Sequence, residues 1–328
     1  MPEKKRILSG MRPTGPLHLG NLHGALANWV KMQEQYDCFF FIADWHALTS
    51  DYESTEAIPG YITNMMIDWL SVGLMPDKST LFVQSAIKEH AELFLLLSMI
   101  TPVPWLERNP TYKDQIVQLA NRDLSTFGFL GYPVLQAADI IMYKANGVPV
   151  GIDQVPHVEI TREIARRFNY LYGNVFPEPE AILTETPKIL GTDRRKMSKS
   201  YQNAIYIAES DDAIMKTVSG MVTDPGRARK SDPGNPDICN VFEFHKLYSD
   251  KDTVSQVERD CRAAGIGCVD CKKIMAKHLS VALLPIREKR AHYESNPDLV
   301  SDIILEGNTK AGKVARATMD QVRSAMNM

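Results

Sequence analysis

The N-terminal part of the chain reads strand, loop, helix, strand, and this order restricts the fold more than any other feature. A short strand is predicted at Lys5–Ser9, followed by the Gly/Pro-rich loop Gly10–Gly20. A helix is predicted over about Asn21–Tyr36, because apolar side chains recur there at the i, i+4, i+7, i+8 spacing of one buried face: Leu22, Leu26, Trp29 and Val30. The run Cys38–Ala43 is short and continuously apolar, which is typical of a buried parallel strand. The fold class is therefore α/β, with a doubly wound parallel sheet of the Rossmann type.

The remaining sequence predicts the rest of this sheet and a helical C-terminal domain. The stretch from about 55 to 145 is mostly helical with a strand at Thr80–Val83, and a last sheet strand is expected at Gly147–Gly151. The Pro- and Glu-rich stretch Asn174–Pro187 is typical of a linker. We therefore divide the chain into a Rossmann-type domain, 1–190, with a helical insertion at about 55–130, and an all-helical C-terminal domain, 191–328.

Charge and apolar runs restrict the partners and the location of the chain. Its 328 residues carry a net charge of −3, so a nucleic-acid partner has to meet a local basic patch. Its apolar runs are shorter than the roughly 18 residues of a membrane span, and its charged start lacks the apolar stretch of a signal peptide. We expect a cytoplasmic protein with no membrane association, in which clustered thiols bind metal rather than form disulfides.

The first motif lies between the first strand and the first helix and reads Arg12-Pro13-Thr14-Gly15-Pro16-Leu17-His18-Leu19-Gly20-Asn21. At such a junction the exposed backbone N–H groups and the helix dipole favour a phosphate. Gly20 lets a nucleotide approach the backbone closely, and His18 and Asn21 are donors for phosphate oxygens. A plain strand–helix turn with Asn21 as the helix cap is the alternative. The sequence has no Walker-type Gly-Lys-Ser/Thr and no dinucleotide glycine fingerprint, which disfavours ordinary ATPases and dehydrogenases.

The second motif is the basic loop Lys196-Met197-Ser198-Lys199-Ser200, which follows a turn at Gly191–Arg195. Two lysines with hydroxyl groups between them are suited to enclose a triphosphate and to stabilise the charge on departing pyrophosphate. A solvated basic loop that contacts an RNA backbone is the alternative interpretation.

In this order, the two motifs resemble the two signatures of the class I aminoacyl-tRNA synthetases. The first signature of that family is most often His-Ile-Gly-His, whereas this chain has His18-Leu19-Gly20-Asn21, a variant seen in the tryptophan branch. The resemblance implies that the chain binds ATP with Mg²⁺. It also implies that the catalytic groups acting on the phosphates are His18, Asn21, Lys196 and Lys199.

A third region, Gly131–Tyr143 and Val148–His157, contains further polar residues at informative positions. Gly151 follows a buried strand at its carboxyl end, where nucleotide sites of open α/β sheets lie. Asp153 is placed to accept hydrogen bonds from ribose hydroxyls, and Gln154 is placed to meet the polar end of an amino acid.

Asp139 is the single carboxylate of the stretch Gly131–Tyr143 and stands there among Ala, Ile, Leu and Met side chains. A buried charge needs a partner. Asp139 is therefore either part of a structural ion pair or backbone hydrogen bond, or the acceptor for an indole N–H, which is a donor-only group.

The third region resembles the tryptophanyl branch of the class I synthetases, and the likeness extends from Ser9–Gly15 to Gly265–Cys268. It implies that Asp139 reads the indole and that the tryptophan pocket also contains Leu8, His46, Tyr132 and Gln154, although the family often has Phe in place of Leu8. It implies an ATP site in which Ile189 contacts adenine through its backbone and which is lined by Arg12, Pro13, Thr14, Gly20, Asn21, Gly151, Ile152, Asp153, Lys196, Met197, Ser198, Lys199 and Ser200.

Four of the five cysteines lie close together near the C-terminus: Cys239, Cys261, Cys268 and Cys271. The close pair with two further thiols fits either Zn²⁺ or an iron–sulfur cluster, and four free buried cysteines are the alternative. A subset of the tryptophanyl branch is similar here and carries a [4Fe–4S] cluster in its anticodon-binding region. The resemblance thus implies this cluster, with Zn²⁺ as the alternative.

The reaction implied is that of a tryptophan–tRNA ligase. The carboxylate of L-tryptophan attacks the α-phosphate of ATP to give tryptophanyl-adenylate and pyrophosphate, and tRNA(Trp) then accepts the tryptophan. The resemblance also implies a homodimer. The basic residues of the C-terminal domain that we expect to face RNA are Arg227, Arg229 and Lys230.

Three other functions are compatible with part of the pattern. A tyrosyl-tRNA synthetase of the archaeal type shares the fold and the basic loop, but reading a phenol requires a donor as well as the acceptor Asp139. A nucleotidylyltransferase shares the His-x-Gly signature, but the long chain and its cysteine-bearing domain argue against this class. A non-catalytic RNA-binding relative is disfavoured because His18, Lys196 and Lys199 are intact.

Overall fold

The structure, a computed structural model, describes residues 4–118, 123–183 and 189–328. Within these residues, five parallel strands form one sheet in the order β3-β2-β1-β4-β5. The strands are β1 (Arg6–Met11), β2 (Asp37–Ile42), β3 (Ser79–Val83), β4 (Gly147–Val150) and β5 (Glu180–Leu183). The order reverses its direction at β1, so the fold is the doubly wound α/β type that the sequence predicts.

The helices of the described residues follow the strands in a regular α/β order up to β5 and then dominate the chain. They are α1 (Leu19–Asn21), α2 (Ala27–Met32), α3 (Asp44–Asp51), α4 (Ile58–Val72), α5 (Glu89–Ser98), α6 (Val103–Arg108), α7 (Pro110–Gln118), α8 (Phe127–Met142), α9 (Val155–Tyr172), α10 (Asp211–Ser219), α11 (Asn240–Tyr248), α12 (Lys251–Arg262), α13 (Cys268–Glu294) and α14 (Pro297–Ala325). A wider π turn, Leu22–Leu26, stands between α1 and α2 in the sequence. No helix of the described parts of the chain is long and apolar enough to span a membrane.

The strand predicted at Gly147–Gly151 is present as β4, but it is not the last strand of the sheet, because β5 lies inside the stretch Asn174–Pro187 that was predicted as a linker. β5 pairs with β4 in parallel register, with Val148 opposite Ala181. It has only four residues, and all of its side chains are at least partly exposed, so it lacks the apolar run by which a buried strand is recognised. β3 also belongs to the sheet, although it lies within the predicted helical insertion.

By its contacts the chain divides into two compact units. The first comprises Met1–Gly15, Asn28–Glu185 and Asn296–Met328, and the second comprises Pro16–Ala27 and Thr186–Ser295. The first unit contains the whole sheet, and its core includes Trp29 stacked on Phe40 with a ring-centroid distance of 4.5 Å. In the second unit α10 and α11 both pack on α13. The functional boundary near residue 190 stays a prediction.

The C-terminal helix α14 packs on the edge strand β3 within the first unit. The side-chain Oδ1 of Asn308 accepts a hydrogen bond from the backbone N of Val83 at 2.9 Å, which supplies a partner for an edge-strand donor. A Cβ at Gly307 would overlap the carbonyl oxygen of Leu81, so glycine is what permits this close approach of helix and strand.

Candidate functional site

The His18 motif and the basic loop lie together in the second unit. The backbone N of Leu19 donates to the carbonyl of Ile205 at 2.9 Å, and the N of Ile207 donates to the carbonyl of Leu17 at 3.0 Å. The turn around His18 is thereby paired with the segment that directly follows the loop. Two distant parts of the sequence, recognised separately as phosphate-binding motifs, thus form one local structure.

His18 is a buried, neutral group in this structure. Burial, and next the positive charge of Lys199, lower the pKa of His18 to about 4. Its Nδ1 is buried and has no hydrogen-bond partner among the described residues. A Cβ at Gly20 would lie 2.9 Å from the imidazole and 3.6 Å from Cβ of Met197, so the missing side chain leaves the room in which the ring sits. The site therefore offers an uncharged hydrogen-bonding group beside a lysine.

Asn21 fixes the turn that carries His18. Its side-chain Oδ1 accepts a hydrogen bond from the backbone N of His18 at 3.0 Å. The alternative of a structural role for Asn21 is thus partly right, although the amide holds the start of the turn and Asn21 itself lies inside α1. The amide nitrogen, which is a donor, is the end of this side chain that suits a phosphate oxygen.

Asn203 organises the basic loop, and the sequence analysis missed it. This buried amide accepts a hydrogen bond from the backbone N of Ser198 at 2.8 Å. It donates to Oδ1 of Asp193 at 2.7 Å and to the carbonyl of Lys196 at 3.2 Å. A Cβ at Gly191 would overlap its side chain, so the turn before the loop requires glycine. The only signal in the sequence is a polar residue followed by Ala204-Ile205, which by itself does not indicate a role.

The remaining predicted members of the second unit differ in exposure. Met197 and Ile189 are buried, Lys196 is exposed, and Ser198 and Lys199 are half-buried. The backbone of Leu190, which follows Ile189, pairs with that of Lys196. The loop therefore turns its methionine inward and keeps both lysines accessible.

In the first unit, the other predicted nucleotide-binding residues leave the carboxyl ends of β1 and β4. These strands are parallel neighbours, with Ile7 opposite Gly147, so Arg12-Pro13-Thr14 and Gly151–Gln154 emerge at the same edge of the sheet. Ile152 is 75% exposed, and Asp153 is exposed with its Oδ2 3.1 Å from the Nε2 of Gln154. This edge beside the reversal of strand order is where open α/β sheets bind nucleotides.

Asp139 lies in α8 with no exposed surface, and its carboxylate accepts hydrogen bonds from three side chains. Gln84 donates from Nε2 to Oδ1 at 2.8 Å and to Oδ2 at 2.9 Å. The Nδ1 of His90 lies 2.6 Å from Oδ1, and the Nε2 of His46 lies 2.7 Å from Oδ2. Burial alone would raise the pKa of Asp139, but the hydrogen bonds and charges of His46 and His90 outweigh it and hold this pKa below its usual range. The carboxylate is therefore ionised and acts as an acceptor.

Gln84 and His90 are functional candidates that the sequence analysis missed. The Oε1 of Gln84 accepts from the backbone N of Trp45 at 3.1 Å and from that of His46 at 3.4 Å, so one amide holds both Asp139 and the start of α3. His90 and Gln84 have no exposed surface. The sequence indicates only that Gln84 and His90 are polar residues next to predicted strands and helices. Nothing in it pairs them with Asp139.

Tyr132 belongs to a second network of buried side chains. Its hydroxyl lies 3.1 Å from Nε2 of His157, whose Nδ1 lies 3.4 Å from Nδ2 of Asn109. Burial, and next the charge of His46, lower the pKa of His157 to about 4. The Oδ1 of Asn109 accepts from the backbone N of Thr111, so its Nδ2 is the donor toward His157, and His157 in turn donates from Nε2 to Tyr132.

Among the predicted pocket residues, His46 touches Asp139 directly, and Tyr132 contacts His157, whose pKa the charge of His46 lowers. Leu8 instead lies in the core of the first unit with 1% of its surface exposed. Gln154 stands just before α9, three positions ahead of His157. The roles of Leu8 and Gln154 in binding tryptophan stay predictions.

The four C-terminal cysteines lie near one another in the second unit. Burial, and next the charges of Cys239, Cys261 and Cys268, raise the pKa of Cys271 to about 12. The Nη1 of Arg227 lies 3.9 Å from the sulfurs of both Cys261 and Cys268. In the described parts of the chain, however, no three His, Cys, Asp or Glu side chains stand in an arrangement that could hold a metal ion. The predicted metal site is thus not confirmed.

Arg227, one of the three basic residues predicted to face RNA, has partners within the second unit. Its Nη2 donates to the carbonyls of Lys230 and Ile266 at 2.9 and 2.6 Å. Its Nη1 faces the thiols of Cys261 and Cys268. Its guanidinium is engaged inside the unit, whereas Arg229 and Lys230 are exposed.

Known proteins resemble the chain over nearly its whole length. A family model for class I tRNA synthetases (W and Y) matches residues 2–284. The tryptophan–tRNA ligase of Thermotoga maritima is 55% identical over 325 residues, covering 98% of this chain and 99% of the relative. That of Aquifex aeolicus is 49% identical over 393 residues, covering 98% and 100%. The crystal structure of tryptophanyl-tRNA synthetase from Campylobacter jejuni, complexed with ADP and tryptophan, has a TM-score of 0.91 at 36% identity and covers 98% of this chain and 100% of that chain.

Proposed function

The chain belongs to the tryptophanyl-tRNA synthetase family of class I enzymes, and from this premise we propose which of its residues carry out the reaction. It is a tryptophan–tRNA ligase. The substrates are L-tryptophan, ATP with Mg²⁺ and tRNA(Trp). The observation that carries the assignment of substrate is the buried, ionised Asp139, because a carboxylate that only accepts hydrogen bonds suits the indole N–H, which only donates.

The phosphates of ATP are bound by the second unit, through His18, Asn21, Lys196 and Lys199. A neutral His18 donates a hydrogen bond without adding charge, while the lysines offset the charge that grows on pyrophosphate as the tryptophan carboxylate attacks the α-phosphate. No covalent nucleophile on the protein is required, because attack by the bound carboxylate depends on position. Ile189, Met197, Ser198 and Ser200 complete this part of the ATP site.

The first unit binds tryptophan and contributes to ATP binding. Asp139 accepts the indole N–H, and Tyr132 and Gln154 meet the polar end of the amino acid, with Leu8 and His46 beside the ring. Asp153 accepts hydrogen bonds from the ribose, and the backbone of Gly151 and Ile152 and the segment Arg12-Pro13-Thr14 approach the nucleotide.

Exchange of labelled pyrophosphate into ATP, measured separately with each amino acid, tests the choice of substrate. Tryptophan should support exchange, and the exchange rate with tyrosine should be lower by a factor of about 10⁴ or more. The reason is that a site built around a buried polar partner rejects an analogue that does not match it. Comparable exchange with tyrosine would contradict the assignment.

Asp139→Ala tests the role of the carboxylate. Removing a hydrogen bond to a charged group should cost about 1.5–3 kcal/mol of tryptophan binding, with ATP binding nearly unchanged. Calorimetric titration with each substrate measures both. Normal tryptophan affinity in a folded variant would favour the purely structural role of Asp139.

We also propose that Cys239, Cys261, Cys268 and Cys271 hold a [4Fe–4S] cluster, with Zn²⁺ as the alternative ligand. The nearness of the thiols supports this, as does the cationic Arg227 beside two of them, because thiolate ligands bring negative charge that a guanidinium offsets. The cluster would fix the helical region that reads the anticodon and would take no part in adenylate formation.

Protein purified without oxygen should then contain about four irons per chain and be brown. Cys271→Ser should lose the iron and lower aminoacylation of tRNA while tryptophan activation persists. Cys38→Ser, which changes a buried cysteine of β2, is the control and should keep the iron. One zinc per chain would favour the zinc alternative, and no metal after anaerobic reconstitution would exclude both.

Three further properties complete the proposal. Arg229 and Lys230 contact the tRNA backbone. The enzyme is a homodimer, which the exposed apolar side chains of Leu95, Met99 and Val103 support. It works in the cytoplasm, where its tRNA substrate is found.

A further inference from the structure

The carboxylate of Asp139 has no acceptor position left for an indole. A carboxylate offers about four lone-pair positions. Here Oδ1 accepts from Gln84 and His90, and Oδ2 accepts from Gln84 and His46. If Asp139 reads tryptophan, one of these hydrogen bonds has to be replaced.

His46 is the donor that can leave. The side chains of His90 and Asp139 have no exposed surface, whereas 11% of the His46 side chain is exposed. Gln84 is fully buried and also holds the backbone of α3 through its Oε1, so its movement would release two backbone N–H groups. The hydrogen bond from the backbone N of His46 to Gln84 fixes the backbone of His46. The His46 side chain can therefore move only by rotation about its own torsion angles.

We propose that His46 is a placeholder for the indole: its Nε2–H occupies Oδ2 of Asp139 in the free enzyme and swings away when the indole N–H of tryptophan takes that position. This rests on the proposed function of Asp139 and goes beyond it by stating what happens at Oδ2. The exchange replaces the hydrogen bond from His46 by one from the indole, and no covalent bond is formed or broken. His46 acts through Asp139 and is thus a positioning residue.

The placeholder has a consequence for discrimination. A buried carboxylate that loses a donor without gaining another is destabilised. With His46 present, Asp139 keeps its full set of donors in the empty site, and only a ligand with an N–H at the right place can displace the imidazole. An isostere that carries sulfur in place of this N–H, β-(3-benzothienyl)alanine, leaves His46 on Oδ2.

Nuclear magnetic resonance of protein labelled with ¹⁵N-histidine observes the exchange directly. The chain has eight histidines, and His46→Gln identifies the resonance of His46. In the free protein the Nε2–H of His46 and the Nδ1–H of His90 should both be protected, low-field signals. Tryptophan should remove the first signal and leave the second, whereas the benzothienyl analogue should leave both. Persistence of the His46 signal in the tryptophan complex would overturn the proposal.

Affinities of two variants supply an independent measurement. His46→Leu fills the space without a donor, so tryptophan no longer has to displace a hydrogen bond and should bind about tenfold more tightly, while the analogue binds as before. His46→Gln keeps a donor for Oδ2 and should therefore lack the tenfold gain in tryptophan affinity that His46→Leu shows. Equal weakening of both ligands in His46→Leu would show a merely structural role and overturn the proposal. Failure of tryptophan to bind the wild type at all would instead contradict the proposed function.

Discussion

The hydroxyl of Tyr143 lies 2.7 Å from Nε2 of His90, on the side of the imidazole opposite Asp139. The ionised carboxylate of Asp139 only accepts hydrogen bonds, so the Nδ1 of His90 is the donor to Asp139, and the Nε2 of His90 has the tyrosine hydroxyl as its partner. Tyr143 thereby fixes the orientation of the histidine that holds the carboxylate of Asp139.

Replacing Tyr143 with phenylalanine should destabilise the first unit more than it weakens catalysis. The change leaves the buried Nε2 of His90 without a partner and should lower the free energy of unfolding by about 1–3 kcal/mol. Urea unfolding measures this loss, and Tyr170→Phe, at a tyrosine that is 88% exposed, is the control. Unchanged stability in Tyr143→Phe would show that the hydroxyl is not needed to hold His90.

Asp139 can be singled out from the sequence, whereas its partners Gln84 and His90 cannot. Asp139 stands out locally, as one carboxylate in an apolar helix. Gln84 and His90 are 55 and 49 residues away along the chain, and only the packing of α5 and the end of β3 against α8 brings them to it. Periodicity and composition are local properties, so they do not contain such pairings.

The same distinction holds for the sheet and the loop. β1 to β4 are apolar enough to be predicted, whereas β5 is a strand because it continues the edge of β4, which its own four residues do not reveal. The two motifs predicted to bind phosphate are recognisable in the sequence, but the role of Asn203, which holds the basic loop, becomes visible only in the folded loop.

Lys199→Ala should lower the rate of tryptophan activation while leaving the tryptophan dissociation constant nearly unchanged. Loss of one preorganised donor at a developing charge lowers the rate by roughly 10²–10³. Single-turnover pyrophosphate release and equilibrium binding separate the two effects. Lys216→Ala, at an exposed lysine of α10, is the control. If only tRNA binding weakens, the loop is an RNA contact.

Stability should fall with acidification between about pH 6.5 and 4. His18, His157 and His245 each have a pKa lowered from 6.5 to about 4, chiefly by burial. A lowered pKa means that the unfolded chain binds protons that the folded chain does not bind in this window, so stability is fully present above pH 6.5 and is lost as the pH falls toward 4. The loss amounts to roughly 3 kcal/mol per histidine.

Urea unfolding of His157→Gln across the same pH range checks this. The variant keeps a side-chain amide for Tyr132 but has no group that titrates there, so its stability should depend less steeply on pH than that of the wild type. Parallel pH profiles would mean that His157 contributes nothing to the acid sensitivity.

Gly307 and Gly312 form a matched pair on α14 that tests the seam between the C-terminal helix and the sheet. Alanine at either position should favour the helix by about 0.5–1 kcal/mol. At Gly312 the nearest atom to a new Cβ is the flexible end of Arg316 at 3.2 Å, whereas at Gly307 the Cβ would overlap the backbone carbonyl of Leu81. Gly312→Ala should thus be neutral or stabilising, and Gly307→Ala should be destabilising by about 1–3 kcal/mol through overpacking.

The Gly307→Ala change should also affect the proposed tryptophan site, since β3 leads directly into Gln84, the residue that holds Asp139. α14 fixes the end of β3 by the hydrogen bond between Asn308 and Val83, and Gln84 is the next residue. A shift of β3 away from the helix moves the Gln84 amide relative to the carboxylate of Asp139 and to the start of α3. Tryptophan affinity should fall in Gly307→Ala and stay at the wild-type value in Gly312→Ala. Lost stability with unchanged tryptophan affinity would show that the seam supports the fold without positioning Asp139.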